Sequence, residues 1–556
     1  MDFSYLATLP HAVRHFAGLR PDAVAYAFEG RQTTYAEFER NTSRVAQALL
    51  AAGVRAGDRV GYIGKNCDHY FEAWLGAAKM GAVMTPASWR LAGPEVEFIV
   101  GHCDAVLLFV GPESTAMVRG LLPALPMVRQ VVAMEAGSAP DWPVYTDWRD
   151  AHPDKLPDHR PGPHDVVLQL YTSGTTGRPK GAMLTHRNLT IGTEVSERES
   201  IPWSHWTADD VSLVAMPVAH IGGSGWGLRN LLSGAKGVVA REFDPRAVLD
   251  FIEHERISKL FMVPAAMQIV LRDPRARTVD YSRLKYLLYG AAPIPAALLR
   301  EGIEVFGCGF VQQYGMTETT GTVVALPPED HTTEEVPRMR AAGKPLPGVE
   351  LKVVDYEGRE LAPGEVGEIV IRSAHNMSGY WKQPEETART IDAKGWLRTG
   401  DAGYLDAEGY LYIHDRVKDM IISGGENVYP AEVESAIYGH PIVADVAVIG
   451  VPDENGAKRS RPSSCSRLGK RRIATASSPG RASGSPGSRC PRASSSLRPC
   501  LATRPASCCG GNCVSHTGTA WAGRSTDHLP APARRTRFLA EPGPLSNCGD
   551  RTTQSA

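Results

Sequence analysis

Residues 171–181 read YTSGTTGRPKG, and they directly follow the apolar run VVLQL at residues 166–170. The apolar run predicts a buried strand that ends in a loop of glycines and hydroxyl residues. Glycines let the backbone curl so that successive N–H groups point inward, the hydroxyl groups add donors, and Lys180 supplies a positive charge. The pattern predicts a phosphate-binding loop. It is not a Walker loop, because Pro179 stands where that pattern needs glycine, and the alternative interpretation is a polar turn between domains.

The sequence on both sides of this loop alternates between helical and strand patterns. Thr33 and Thr34 can cap a helix that ends at Gly53, and Asp68 begins a second helix. Short apolar strands are predicted at residues 59–63, 105–110, 166–170, 259–264, 284–289 and 443–451. This alternation predicts a large α/β domain with mostly parallel sheets. Beyond about residue 348, alternating strands broken by glycine turns predict a β-rich subdomain, followed by a small α+β C-terminal domain.

The composition is that of an ordinary globular protein, with 556 residues, 43% apolar and 22% charged. No run of 18 apolar residues predicts a membrane span, and the N-terminus lacks a signal-peptide pattern, so we expect a cytoplasmic protein. The net charge of −1 averages two unlike parts, because residues 455–556 hold 17 basic and 3 acidic residues. The remaining residues are strongly acidic, which gives no reason to expect nucleic acid as a partner. Seven of the ten cysteines also follow residue 455, and the three before it have no metal-ligand spacing.

Seven further motifs follow the phosphate loop in order. They are MPVAHIGGSGWG (216–227), YGAAPIP (289–295), QQYGMTETTG (312–321), GEVGEIVIRS (364–373), GYW (379–381), GWLRTGD (395–401) and DRVKDMIISGGENVYPAEVE (415–434). Together they resemble the adenylate-forming superfamily of acyl-CoA synthetases, luciferases and peptide-synthetase adenylation domains. The resemblance covers nearly all of residues 1–454, and the form ISGGENVYPAEVE is closest to CoA ligases.

The resemblance implies a nucleotide site whose residues also make chemical sense. Glu318 offers a hard oxygen suited to Mg²⁺, and Thr317 offers a hydroxyl to the α-phosphate. Asp401 can accept two hydrogen bonds from a ribose diol, with Arg416 in support. The full ATP-binding set implied is Thr172, Ser173, Gly174, Thr175, Thr176, Gly177, Lys180, Gly290, Ala291, Ala292, Tyr314, Gly315, Thr317, Asp401 and Arg416. The alternatives are a surface acid at Glu318, a turn cap at Asp401 and a plain strand-end turn at Gly290.

A second implied set concerns the acyl group and coenzyme A (CoA). Small residues surround His220, and the resemblance places the acyl carboxylate and the CoA thiol there; the catalytic set is thus His220, Thr317 and Glu318. Gly222, Gly223, Gly424 and Gly425 are implied to line the acyl and CoA path, and Lys418 is implied to be the hinge. A lone histidine is more often structural, and the glycine pair also fits a hairpin turn. The family usually carries an aromatic residue before this histidine, where this chain has Ala219.

After residue 454 the pattern stops. The family continues there with a Val-rich strand and ends in a Gly-Lys motif, whose lysine bridges the carboxylate and the α-phosphate. This chain instead reads NGAKRSRPSSCSRLGK, which has the composition of a disordered segment. One codon choice for residues 455–466 becomes KWGEAVKAVVVL when a single A is restored after the first two bases. The same frame permits NPSGKLLRREL for residues 503–513, and we interpret the tail as the product of a frameshift.

These observations predict three segments: an adenylation domain at 1–414, a hinge and the start of a lid domain at 415–454, and a disordered tail at 455–556. The implied reaction joins ATP and a carboxylic acid into an acyl-adenylate, and CoA then displaces AMP. ATP, Mg²⁺ and CoA are the expected cofactors and co-substrates, the acid is expected to be a fatty or other apolar acid, and a homo-oligomer is left open. The rivals are an enzyme that loads a carrier protein and an inactive ATP- or acyl-binding pseudoenzyme that lacks the lysine.

Overall fold

The computed structural model describes residues 2–172, 178–334, 336–416, 421–423, 426–428, 430, 433–434, 443–452, 458–466, 472–474 and 497–499. Within these ranges the α-helices are α1 Leu9–Leu19, α2 Tyr35–Ala51, α3 Asp68–Lys79, α4 Gly93–His102, α5 Thr115–Leu121, α6 Tyr145–Asp150, α7 His186–Arg198, α8 Ile221–Ser233, α9 Pro245–His254, α10 Pro264–Leu271, α11 Ala296–Phe306 and α12 Pro384–Thr390. Short 3-10 turns lie at Ser4–Leu6, Pro112–Ser114, Leu122–Ala124, Pro274–Arg277, Thr317–Thr319, Pro328–Asp330 and Pro337–Arg340.

The strands of the described residues, in chain order, are β1 Val24–Phe28, β2 Arg31–Thr34, β3 Arg59–Gly64, β4 Val83–Ser88, β5 Ala105–Val110, β6 Gln130–Ala133, β7 Val166–Thr172, β8 Lys180–Thr185, β9 Val211–Val214, β10 Lys236–Val239, β11 Lys259–Met262, β12 Tyr286–Gly290, β13 Gly309–Met316, β14 Gly321–Leu326, β15 Lys344–Pro345, β16 Glu350–Val354, β17 Gly367–Arg372, β18 Gly379–Tyr380, β19 Leu397–Leu405, β20 Leu411–Arg416, β21 Ile421–Ser423, β22 Glu426–Val428, β23 Val443–Pro452, β24 Lys458–Ser466, β25 Arg472–Ala474 and β26 Leu497–Pro499.

Two large sheets carry most of these strands. One has the order β15-β14-β13-β12-β11-β9-β10-β1-β2 and the other β18-β8-β7-β4-β3-β5-β6. Both sheets are parallel in the middle. The first is antiparallel at both edges, as in the pairs β13–β14 and β1–β2, whereas the second is antiparallel only at the β18-β8-β7 edge and ends in the parallel pair β5–β6. A third sheet, β16-β17-β19-β20, is antiparallel throughout. The predicted α/β class and the β-rich part after residue 348 are therefore confirmed.

Local sequence signals set the individual elements. The Thr34 side chain accepts a hydrogen bond from the Glu37 N–H while the Glu37 carboxylate accepts one from the Thr34 N–H, so a capping box begins α2. Helix α2 then buries Phe38, Val45 and Leu49 along one face. Among the described helices, none combines the length and the apolarity that crossing a bilayer requires.

The largest core cluster joins the two big sheets. It contains Tyr26 and Val239 from one sheet and Val60 and Leu168 from the other, and every residue of α3 between them is buried. Burial on both faces explains why the central strands are continuous apolar runs rather than alternating ones. The packing fixes the two rows of parallel strands side by side, so that the loops at their carboxyl ends can share one site.

The described strands beyond residue 454 form simple antiparallel pairs. Strand β24 pairs with β23, and β25 pairs with β26. In these short stretches the structure differs from the irregular tail that the composition predicts. Backbone N–H and C=O groups pair without any particular side-chain period, so an Arg- and Ser-rich segment can lie beside the apolar strand β23.

Candidate active site

Three segments that are distant in the chain meet at the carboxylate of Glu318. This residue lies in the turn Thr317–Thr319 after β13, and 4% of its surface is exposed. Its Oε1 accepts one hydrogen bond from the Thr172 hydroxyl at the end of β7 and one from the Tyr380 hydroxyl in β18, both at 2.9 Å. The start of the phosphate loop, the YGMTE segment and the GYW segment thus converge on one acidic group.

The turn that carries Glu318 is held tightly against β14. The Met316 N–H donates to the Thr319 hydroxyl at 2.9 Å, and that hydroxyl lies 2.8 Å from the Gly321 carbonyl oxygen. A Cβ on Gly315 would lie 1.8 Å from the same Gly321 oxygen. The two strands can approach this closely because position 315 has no side chain.

Lys180 begins β8, and 7% of its surface is exposed. Its ammonium group forms an ion pair with Glu386 in α12 and lies 5.2 Å from the centre of the Tyr380 ring. The hydrogen bond from Lys180 holds the pKa of Glu386 below its usual range. Tyr380 therefore contacts both the Lys180 cation, through its ring, and the Glu318 carboxylate, through its hydroxyl.

Asp401 forms a second polar group with residues from two other strands. It lies in β19 directly across from Arg416 in β20, whose Nε is 3.5 Å from Asp401 Oδ1. The Tyr314 hydroxyl donates to Asp401 Oδ2 at 2.8 Å. Burial raises the pKa of Asp401, while Tyr314 and Arg416 act in the opposite direction. Burial also raises the pKa of Tyr314, so its phenol stays protonated and can donate.

The GAAP segment begins at the carboxyl end of β12. A Cβ on Gly290 would lie 2.2 Å from the Gln313 carbonyl oxygen of β13, so only glycine fits the spacing of these strands. Ala291 has a φ of +66°, a left-handed conformation that costs a non-glycine residue about 1–2 kcal/mol. Ala291 and Ala292 are both exposed. Small side chains therefore leave the backbone open at this edge of the sheet.

His220 is the residue before α8, and its backbone is extended. The side chain reaches the protein surface, yet the protein atoms around it lower its pKa, and the charge of Arg90 acts in the same direction. Both effects favour the neutral imidazole. Ala219, which stands where the family usually has an aromatic residue, is buried.

Glycines allow α8 to begin directly behind His220. A Cβ on Gly223 would lie 2.2 Å from the Pro217 carbonyl oxygen, and one on Gly222 would lie 3.1 Å from the Phe261 ring. The first clash is with backbone and cannot be relieved by a side-chain movement. Gly223 is therefore required by the geometry of this turn, whereas Gly222 leaves room beside an aromatic wall.

The donors around Glu318 fit a magnesium ion bound together with a nucleotide. Both hydrogen bonds described above end on Oε1 of the carboxylate. In the part of the chain that the structure describes, no three His, Cys, Asp or Glu side chains cluster closely enough to hold a metal on their own. Mg²⁺ commonly takes one or two carboxylates and completes its shell with phosphate oxygens and water, so the single carboxylate of Glu318, bonded to Thr172, is an adequate protein donor for it.

Several residues of the predicted site lie outside the described residues. These are Ser173, Gly174, Thr175, Thr176 and Gly177 of the phosphate loop, the hinge residue Lys418, and Gly424 and Gly425. The structure does bring Thr172, Lys180 and Glu318 into one cluster and Tyr314, Asp401 and Arg416 into another. The roles assigned to them from the sequence stay predictions.

Sequence reasoning missed two residues of this site. Tyr380 contacts both Glu318 and Lys180, and Glu386 pairs with Lys180. The GYW segment is one of the family-like motifs, and this motif is the sequence signal for Tyr380. Glu386 follows Pro384 on an ordinary exposed-looking helix, and nothing local distinguishes it from Glu385 beside it.

Comparison with protein families agrees with this geometry. Residues 13–381 match the model of the AMP-binding enzymes, and residues 432–460 match the model of the AMP-binding enzyme C-terminal domain. The first match alone covers well over half of the chain. The chain therefore belongs to the AMP-binding enzyme family of adenylate-forming enzymes.

Individual relatives cover most of the chain. The fatty acid–[acyl-carrier-protein] ligase ScoC of Streptomyces coeruleorubidus is 42% identical over 457 residues, which is 81% of this chain and 85% of that protein. The feruloyl-CoA synthase of an Amycolatopsis species is 41% identical over 438 residues, 79% of this chain and 84% of that one. Among solved structures, ATP-bound MatB from Rhodopseudomonas palustris superposes with a TM-score of 0.73 at 29% identity, covering 82% of this chain and 89% of that chain.

Proposed function

We propose that this protein is an ATP-dependent acyl-CoA ligase that activates a fatty or other apolar carboxylic acid. In the first step a carboxylate oxygen attacks the α-phosphorus of ATP and the bond to pyrophosphate breaks. In the second step the CoA sulfur attacks the acyl carbon, the bond to AMP breaks and the thiol proton is lost. The observation that supports this most is the convergence of Thr172, Tyr380 and Glu318 beside Lys180.

In this proposal the cluster around Glu318 and the cluster around Asp401 each bind one part of the nucleotide. Lys180 and the phosphate loop bind the β- and γ-phosphates, and Thr317 donates to the α-phosphate. Glu318 holds Mg²⁺, which when bound neutralises charge on the phosphate oxygens. Asp401 accepts hydrogen bonds from the ribose hydroxyls, with Tyr314 and Arg416 orienting it. The adenine lies against the backbone of Gly290, Ala291 and Ala292, a use supported by the exposure of both alanines.

His220 marks the place where the acyl group and CoA meet. Its lowered pKa favours the neutral imidazole, which can accept a hydrogen bond from the thiol or take up the thiol proton. Gly222 and Gly223 keep the entrance of this pocket free of side chains, and Gly424 and Gly425 are proposed to line the CoA path. We propose Lys418 as the hinge between an adenylation domain at 1–414 and the lid domain that begins at 415.

The acid is proposed at the level of a class. The relatives named above act on a fatty acid and on the aromatic ferulic acid, according to their names, and both acids present an apolar body to the enzyme. Since ATP and CoA are cytoplasmic co-substrates, we propose that the reaction takes place in the cytoplasm.

Transfer to an acyl carrier protein is the second candidate function. It is favoured by the 42% identity to ScoC, which is named as a ligase of that kind. Both candidates share the adenylation half-reaction and differ in the thiol that displaces AMP. The two candidate functions are therefore distinguished by the acceptor thiol and not by the acid.

The tail leads us to propose that the protein is impaired as a ligase. The match to the C-terminal domain model ends at residue 460, close to the change of pattern at residue 455. The family's C-terminal lysine has no counterpart in the segment that follows. If the impairment is complete, the protein is an inactive pseudoenzyme that still binds ATP or the acid.

A product assay tests the proposed function. The frame-corrected protein is incubated with ATP, Mg²⁺ and a panel of fatty and aromatic acids, and pyrophosphate, AMP and acyl products are measured with either CoA or an acyl carrier protein as acceptor. Acid-dependent pyrophosphate release followed by acyl-CoA formation supports the ligase. Thioester on the carrier protein alone supports the second candidate, and acid-independent pyrophosphate release contradicts both.

A further inference from the structure

Glu386 forms an ion pair with Lys180, the residue that the proposed function assigns to the ATP phosphates. The lysine and glutamate side chains are 8% and 20% exposed, so the pair is largely shielded from water. Lys180 is the first residue of β8, immediately after the phosphate loop, while Glu386 lies in the first turn of α12. A triphosphate that reaches Lys180 must therefore compete with a carboxylate that is already in place.

Glu386 also has a second partner to which it can turn. The Arg389 guanidinium lies 3.3 Å from the other Glu386 carboxylate oxygen, one helical turn further along α12. Arg389 is 72% exposed, so it can follow the carboxylate without any change in the core. The carboxylate of Glu386 thus has a cation on either side, one buried and one at the surface.

The position of Lys180 explains why this competition matters. Its ammonium group rests over the Tyr380 ring, and the Tyr380 hydroxyl is bonded to Glu318. Held by Glu386, Lys180 stays beside the proposed metal ligand without forming a direct pair with it. ATP brings several negative charges to the same cation, and a carboxylate left nearby would repel them.

We propose that Glu386 is a positioning residue that competes with the ATP phosphates for Lys180. Its carboxylate pairs with Lys180 before the nucleotide binds, and the β- and γ-phosphates then replace it. This inference rests on the proposed function, because it assumes that Lys180 binds ATP. By competing for Lys180, Glu386 lowers the affinity of the protein for ATP. The affinity for AMP is unaffected, since AMP lacks the β- and γ-phosphates. The residue sets the discrimination between substrate and product nucleotide.

The test compares Glu386→Gln with Glu385→Gln in the full chain. Both substitutions remove one negative charge from the first turn of α12, but Glu385 is exposed. Dissociation constants for ATP with Mg²⁺ and for AMP are measured by titration calorimetry in the absence of any acid. We expect Glu386→Gln to tighten ATP binding by roughly 2- to 10-fold, the range of a partly shielded ion pair, and to leave AMP unchanged. We expect Glu385→Gln to change neither.

A second pair of proteins isolates the role of Lys180. In a Lys180→Ala background, Glu386→Gln should no longer tighten ATP binding, because the group that it releases is absent. Weaker or unchanged ATP binding in Glu386→Gln, an equal change for AMP, or the same effect from Glu385→Gln overturns the role of Glu386 while ATP use stands. Failure of the unmodified protein to bind ATP, or ATP binding that Lys180→Ala leaves unaltered, overturns the assignment of Lys180 itself and this inference with it.

Discussion

The Tyr380 hydroxyl donates one of the two hydrogen bonds that Glu318 Oε1 accepts. A hydrogen bond to a charged group contributes about 1.5–3 kcal/mol. We predict that Tyr380→Phe slows adenylation by roughly 10-fold and raises the Mg²⁺ concentration needed for half-maximal rate, because the carboxylate is then oriented by Thr172 alone. Phenylalanine keeps the ring beneath Lys180, so ATP affinity should change little. Pyrophosphate release measured across a Mg²⁺ titration is the check, and an unchanged Mg²⁺ requirement contradicts the prediction.

Asp401 gives a prediction about pH. A carboxylate accepts both ribose hydrogen bonds when it is ionised, that is, above its pKa. Since burial raises the pKa of Asp401, the affinity for AMP should begin to fall at a higher pH on acidification than it would for an ordinary carboxyl group. Asp401→Asn should weaken AMP and ATP binding alike, by roughly 10-fold or more, and remove this pH dependence. AMP binding that follows the same pH curve in both proteins would rule out the ribose role.

Helix α8 shows how one element fixes the position of a functional side chain. The helix can begin right after His220 because Gly223 packs against the Pro217 carbonyl oxygen at a distance that excludes a Cβ. Gly225, two residues on, would place a Cβ 3.2 Å from the end of the Ile221 side chain, which can move. The two glycines therefore differ in what they contribute, although the sequence shows them as equivalent.

We predict opposite outcomes for alanine at these two positions. Gly223→Ala should destabilise the protein by about 2 kcal/mol or more, because a Cβ is forced into backbone, and it should displace His220. Gly225→Ala should change stability by less than about 1 kcal/mol in either direction, since alanine favours the helix and the side-chain neighbour can shift. Thermal unfolding of both variants provides the measurement. Equal midpoints would show that the turn before α8 relaxes more easily than its geometry indicates.

At the scale of the whole molecule, the decisive feature is the change of composition at residue 455. The residues proposed to bind the nucleotide all precede residue 417, so the change of sequence after residue 454 leaves them in place. The C-terminal lysine implied by the family resemblance would lie in the part that we interpret as frameshifted, and losing one positioned transition-state donor typically costs about 10²–10³ in rate. We therefore expect this chain to bind the nucleotide but to catalyse ligation slowly.

We predict that restoring one base at the codon for Asn455 raises thioester formation by at least about 10²-fold and leaves ATP and AMP affinities within roughly 2-fold of the original. The control is the unrepaired chain, prepared and assayed in parallel with the same acid. Resequencing the gene across the Glu454 codon checks the frame directly. Equal ligation rates for the two proteins, with DNA that matches the original frame, would contradict both the frameshift and the role of the lost lysine.

The sequence by itself determined the local elements and the order of the motifs. Strand β5 coincides with the predicted residues 105–110, the Thr34 cap begins α2, and the phosphate loop follows a buried strand. Signals of this kind depend on the hydrophobic period and on neighbouring backbone groups, which are fixed within a few residues of the chain.

Only the tertiary structure decided which of these residues meet. Tyr380 and Glu318 are 62 residues apart in the chain, and Lys180 and Glu386 are 206 apart. Their contacts follow from the order of strands in the sheets, in which β18 pairs with β8, and the N-terminal strand β1 joins β10. Strand order is set by packing two sheets around α3, a balance over the whole core that no local pattern contains. For that reason the sequence predicts roles for Lys180 and Glu318 but could not show that Tyr380 contacts both or that Glu386 pairs with the lysine.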